Sequence, residues 1–248
     1  MRTWVAAVLT GMMTLLPWPV TAGDVVRLST GMIEPWTTPG GTGFHQILMR
    51  DVFARLGLKA EVEVVAASSR ALAMANDGLL DGLAGRVAGL ETEYTALVPV
   101  SERMFVNDFV VCGRPGTRLP ADWSGLAPFS AAHVIGWQIF EHNLPPVRDL
   151  TTTKDSVQLL NLLQAGRVEV ILHERWQILW LARKAGVPLV CGEQALARVP
   201  MFVYLHQRHA GKAEAVASVL RTMKADGSYD AIAAKTFGEL GGAVTGLK

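Results

Sequence analysis

One pattern that occurs twice constrains this chain more than any other feature. Residues 69–86, SRALAMANDGLLDGLAGR, return in residues 156–174, SVQLLNLLQAGRVEVILHE, with Gly166 standing 88 positions after Gly78. In both copies an apolar run at helical spacing ends at a glycine, which can take the left-handed conformation that closes a helix. An acid, Asp81 or Glu169, then opens a short apolar run. Each copy reads as helix, tight turn and buried strand. The fifth residue after the acid is charged in both, Arg86 in the first and Glu174 in the second, where the strand should run out. Ligands of open α/β sheets bind beyond the carboxyl ends of the strands. Two such units facing each other would therefore direct opposite charges into one crevice.

The rest of the chain extends these units. Residues 25–30 form a strand rich in branched side chains, and the glycine- and proline-rich stretch 31–43 is a loop long enough to line a site. A helix over 44–56, a strand over 60–65 and a helix running to Asn76, with Ser68 and Ser69 as N-cap hydroxyls, complete a parallel β-α-β-α-β unit. Residues 104–111 are an almost unbroken apolar strand that crosses to a second lobe beginning near 132. That lobe holds a helix over 154–165, a strand over 168–172, a helix over 175–184 and a strand over 187–190. Residues 201–205 carry the chain back, and amphipathic runs over 212–224 and 229–237 pack on the first lobe. The fold class is α/β, each lobe a mainly parallel sheet flanked by helices. Lobe 1 is discontinuous, residues 23–108 and 204–248, and lobe 2 is residues 109–203.

Residues 1–22 have a different character: Arg2, an apolar core over 5–16 and a small-residue site at Val20-Thr21-Ala22 spell a cleaved secretory signal. The apolar core is too short to span a bilayer. Without Arg2 the chain carries 22 basic and 22 acidic residues, which argues against nucleic acid or an anionic membrane as partner. The expected product is a periplasmic monomer without direct membrane insertion.

The order of these elements, with Glu34-Pro35-Trp36, Arg55-Leu56-Gly57, Arg70-Ala71-Leu72 and the closing Ala225-Asp226-Gly227-Ser228-Tyr229, resembles the extracytoplasmic solute-binding proteins of amino-acid-type ABC transporters (family 3). That resemblance implies the two-lobed periplasmic-binding-protein fold (type II), two crossing strands, hinge closure around a small polar ligand and delivery to a membrane permease. It implies no cofactor. The family's Thr-Pro-Glu-Arg motif, whose arginine holds a ligand carboxylate, is replaced by Glu91-Thr92-Glu93-Tyr94. The aspartate that receives a ligand ammonium matches Glu174.

The candidate ligand-binding residues are Trp36, Ser69, Arg70, Arg86, Trp137 and Glu174. Arg86 can replace the missing arginine, because a guanidinium fork pairs bidentately with a carboxylate; its alternatives are a surface position or a salt bridge to Glu174. Arg70 and Ser69 sit at a helix start, where free N–H groups suit an anion. Trp36 and Trp137 follow the opening strands of the two lobes and are read as crevice walls or as core. Trp176 and Trp180 read as packing. His173 is structural or crevice-facing, and the six histidines show no metal spacing. Cys112 and Cys191 are either a disulfide or two buried thiols. The alternatives to transport are a ligand-presenting sensor or accessory protein and a dehydratase-like enzyme using Glu174 or His173.

Overall fold

The computed structural model describes residues 25–65, 67–240 and 246–248; residues 1–22, read above as a cleaved secretory signal, lie outside the described residues. The first lobe opens with β1 (Val25–Thr30), α1 (Phe44–Ala54), β2 (Lys59–Val64), α2 (Ser68–Asn76), β3 (Gly82–Arg86) and the short β4 (Leu97–Pro99). β5 (Phe105–Gly113) crosses over to β6 (Ser130–Val134), α3 (Gln138–Asn143), β7 (Asp149–Thr153), α4 (Ser156–Gln164), β8 (Val170–Glu174), α5 (Arg175–Ala185) and β9 (Val190–Cys191). β10 (Ala197–His206) returns to α6 (Ala213–Asp226) and α7 (Ser228–Phe237).

The strands join in the order β2-β1-β3-β10-β5-β8-β6-β7, with β4 on β10 and β9 on β5. β1 runs parallel to β2 and β3, and β6 parallel to β7 and β8, so each lobe has a parallel three-stranded centre. The crossing strands β5 and β10 are antiparallel to each other over Phe105–Phe109 and Ala197–Met201. Beyond Met201, β10 exchanges β5 for β3. Helices cover both faces of each half-sheet. In lobe 1, α1, α6 and α7 bury Phe44, Leu48, Leu220 and Phe237 on one side, while α2 buries Ala71 and Leu72 on the other. The C-terminal helices therefore close the first lobe, as the amphipathic pattern predicts.

The repeat has a structural cause. Gly78 and Gly166 both take positive φ, 73° and 68°, and the residue after each sends its N–H back to the preceding helix, Leu79 to Met74 and Arg167 to Leu162. The acids do equivalent work. Asp81 accepts the backbone N–H of Arg27 at the start of β1, and Glu169 accepts that of Ser130 at the start of β6. Each is also held by an arginine, Arg208 or Arg148. The repeated acid thus pins its own strand to the parallel neighbour, and sets both strand ends at matching depth.

Several boundaries differ from expectation. The second-lobe strand covers Val170–Glu174 rather than 168–172, because Glu169 is spent on Ser130. The strand expected over 187–190 shrinks to β9, and Ser68 and Ser69 are the first helical residues of α2, with Ala67 at the N-cap position and no side-chain cap bond. Cys112 and Cys191 lie opposite each other on β5 and β9, with Cα atoms 4.0 Å apart, and form a disulfide. Neither thiol should react with an alkylating reagent on the folded, unreduced protein; mass spectrometry showing both labelled would contradict the bond.

Candidate functional site

Arg86 ends β3, directly after Gly85, whose φ of 77° turns the strand end. A Cβ on Gly85 would lie 2.9 Å from Phe105 and 3.1 Å from His45, so only glycine permits this approach. Arg86 Nη1 donates to Ser68 Oγ at 3.0 Å, at the first turn of α2. Its Nε and Nη2 are sealed from solvent with no partner among the described residues. Burial pulls its pKa below the ordinary arginine value, yet a guanidinium stays charged. A buried charged donor left unmade costs more than a neutral one. Both ring nitrogens of the neighbouring His45 are also buried without a partner among the described residues. Arg70 and Ser69 are exposed on the same first turn, where the helix leaves N–H groups without internal acceptors.

Two expectations are corrected. Trp36 is not an open wall: it is fully buried, with its ring 4.4 Å from Phe105 and 5.2 Å from His45. Glu174 does not project into the crevice. Its Oε2 accepts Trp36 Nε1 at 2.9 Å and Gln177 N at 2.8 Å, and its Oε1 accepts Trp176 N at 2.9 Å. Because α5 starts at the very next residue, the carboxyl folds back as the helix N-cap. No salt bridge joins Arg86 to Glu174 among the described residues. Arg86 stands opposite Phe202, and Glu174 opposite Phe109, which faces Ala197. The two levels are five residues apart on β10, roughly 16 Å of strand.

In lobe 2, Trp137 caps α3, stacks on Phe140 and lies 4.5 Å from the His173 ring, half-buried. His173 is structural: Nδ1 donates to the Glu174 carbonyl, and Nε2 accepts from Ser156 Oγ at 2.6 Å. Trp176 is buried and stacks on Phe237, tying α5 to lobe 1. Among the described residues no group of His, Cys, Asp and Glu could hold a metal, and no helix is long and apolar enough to cross a membrane.

The buried titratable groups set a pH dependence. Burial, then the neighbouring Arg86 charge, lowers His45 from 6.5 to about 3; burial lowers His173 from 6.5 to about 4. Both hold fewer protons folded than unfolded, so the stability they contribute is complete above about 6.5 and lost as the pH falls toward those values. Glu174 has the opposite sign. Burial raises it from 4.5 to about 7, so its contribution is present below 4.5 and lost as the pH rises through 7. With two histidines set against one carboxyl, the melting temperature is expected to fall on acidification from pH 6.5 to 4.5. His173→Gln should flatten that fall in a calorimetric pH series; a melting temperature that climbs toward pH 4.5 would contradict it.

No family model matches the chain, and no curated protein matches it. Solved structures do match across nearly their whole length. The ligand-binding core of GluR0 in complex with L-glutamate aligns with 88% of this chain and 100% of its own, at a TM-score of 0.69 and 15% identity. The probable amino-acid ABC transporter extracellular-binding protein of Bacillus subtilis aligns with 88% of this chain and 99% of its own, at 0.73 and 13%. The fold is that of the two-lobed periplasmic binding proteins. A histidine kinase sensor domain with similarity to periplasmic binding proteins has it too, at a TM-score of 0.64 and 18% identity over 87% of this chain and 96% of its own.

Sequence reasoning named Arg86 as a candidate, but did not foresee Ser68 as its hydrogen-bond partner or the unpaired His45 near it. The only signal was position, a hydroxyl at the start of α2 and a histidine at the start of α1.

Proposed function

We propose that this chain is an exported binding protein that captures a small carboxylate-bearing molecule between its lobes. The observation that carries this reading is the Arg86 guanidinium, buried at the carboxyl end of β3 with two donor nitrogens unpaired. A carboxylate accepts a bidentate pair from such a fork, and Ser68, with the first turn of α2 beside Ser69 and Arg70, suits the same charge. Trp137 offers an aromatic wall on the opposite lobe. Glu174, fully spent on Trp36 and α5, supports an anionic rather than a zwitterionic ligand. Closure would hinge at the crossing strands β5 and β10, between lobes 23–108 plus 204–248 and 109–203, the ligand's contacts in the closed form supplying the bias. The likeness to transport binding proteins favours delivery to a membrane permease without turnover. The likeness to a kinase sensor domain favours a second reading, ligand-dependent presentation to a signalling partner.

A thermal-shift screen of amino acids, amines, small organic acids and peptides tests the ligand class. A ligand at about 100 times its dissociation constant stabilises by about 2.7 kcal/mol, which is roughly 5–10 °C in a chain of this size. Carboxylates should shift the melting temperature, and amines of the same skeleton should not. Equal shifts from the amines would contradict the reading. Copurification with a permease rather than a kinase separates the two partners.

A further inference from the structure

Lobe 2 carries a cavity of about 610 Å³ that the crevice does not use, between the edge strand β7 and α3. Its position follows from register. Ala131 lies opposite Leu150 and His133 opposite Thr152 in the parallel β6–β7 pair, so these side chains share one face of the sheet. Phe140 of α3 and the loop at 144–147 cover that face incompletely and leave the cavity between them. Ile135 and Leu150, 61% and 52% exposed, line it as unusually open apolar side chains.

The polar side chains lining it are His133, Glu141 and Thr152. His133 lines the cavity and is 2% exposed. Its Nδ1 lies 3.0 Å from the Val134 carbonyl, which can only accept, so the proton sits on Nδ1. In the neutral ring Nε2 is then an acceptor, and it has no partner among the described residues. The two Glu141 oxygens already accept Gly136 N and Gln138 Nε2, which hold the carboxylate against the start of α3. Among the described residues no lysine or arginine lines the cavity to attract an anion. A largely apolar hollow of this size with a few polar atoms, His133 Nε2 and the Thr152 hydroxyl among them, has the make-up of a small-molecule site.

The geometry points to a second ligand site in lobe 2, for a neutral apolar molecule whose single hydrogen-bond donor reaches His133 Nε2. It is independent of the Arg86 reading, which lies in the other lobe and requires an anion. The test compares 2-naphthol with 2-methoxynaphthalene, alike in shape except that the second has no donor. In methyl-labelled full-length protein, 2-naphthol should shift the resonances of Ile135, Val147 and Leu150 saturably and move the His133 Nε2 nitrogen signal. The ether should bind about tenfold more weakly, because it cannot donate the hydrogen bond to Nε2. Leu150→Glu, at an exposed position that folding tolerates, should weaken 2-naphthol by about tenfold through the charge at the mouth, with the melting temperature unchanged. Equal affinity for the two compounds, an unmoved His133 signal, or unchanged binding in Leu150→Glu would each overturn the site.

Discussion

Glu174→Ala is expected to lower the melting temperature of the ligand-free protein by roughly 10 °C. The carboxyl caps α5, and losing a cap costs about 1 kcal/mol. It is also the acceptor for a fully buried indole N–H, and orphaning such a donor costs about 1–3 kcal/mol. Together with the space left by the side chain this is about 3–5 kcal/mol, at roughly 2–4 °C for each. Glu174→Gln should lose much less, since its amide oxygen still accepts, and it should remove the part of the pH dependence that runs between 4.5 and 7. Differential scanning calorimetry at pH 6 and pH 8 reads both. An alanine variant as stable as the parent would mean that Glu174 is held for a ligand after all, since groups kept for binding tend to burden the free fold.

The contrast between Glu174 and Arg86 shows where sequence reading ends. Helices closed by Gly78 and Gly166, the buried strands β1, β3 and β5 and the amphipathic tail were legible because period and glycine report local conformation directly. The duplicated acid was legible as a pattern, though its task, pinning β3 to β1 and β8 to β6, appears only with the backbone hydrogen bonds. β7 and α3 were not legible: β7 is Asp-Leu-Thr-Thr-Thr, an exposed edge strand without a buried stripe, and α3 is only six residues. β10 starts at Ala197, before Pro200, because at that level it pairs with β5 on one side only and the missing N–H is tolerated. Both Arg86 and Glu174 fall at strand ends as the repeat predicts. The next stretch of chain decides the role of each. After Arg86 the backbone leaves β3 for an irregular segment, whereas after Glu174 a helix begins at once and captures the carboxyl. Trp36 likewise fits the pattern of a wall residue, but aromatic neighbours brought from α1, β5 and α7 enclose it.

Arg86→Met carries the opposite expectation to Glu174→Ala. A flexible apolar side chain of similar length removes an uncompensated buried charge, so the ligand-free variant should melt several degrees above the parent. The same change removes the guanidinium that ends β3, and truncating one partner of a buried hydrogen-bonded charge pair costs about 2–5 kcal/mol of binding. Affinity should therefore fall at least about 30-fold. Ser68→Ala should weaken binding less, because it removes one neutral partner of the fork and leaves the charge in place.

The most direct measurement is titration calorimetry of the parent and Arg86→Met proteins, side by side, with the carboxylate that gives the largest thermal shift, together with a melting curve of each without ligand. Saturable binding by the parent, no measurable heat from the variant and a higher melting temperature for the variant alone are the expected results. Unchanged affinity in an Arg86→Met protein that melts at or below the parent's temperature would contradict a ligand site built on Arg86.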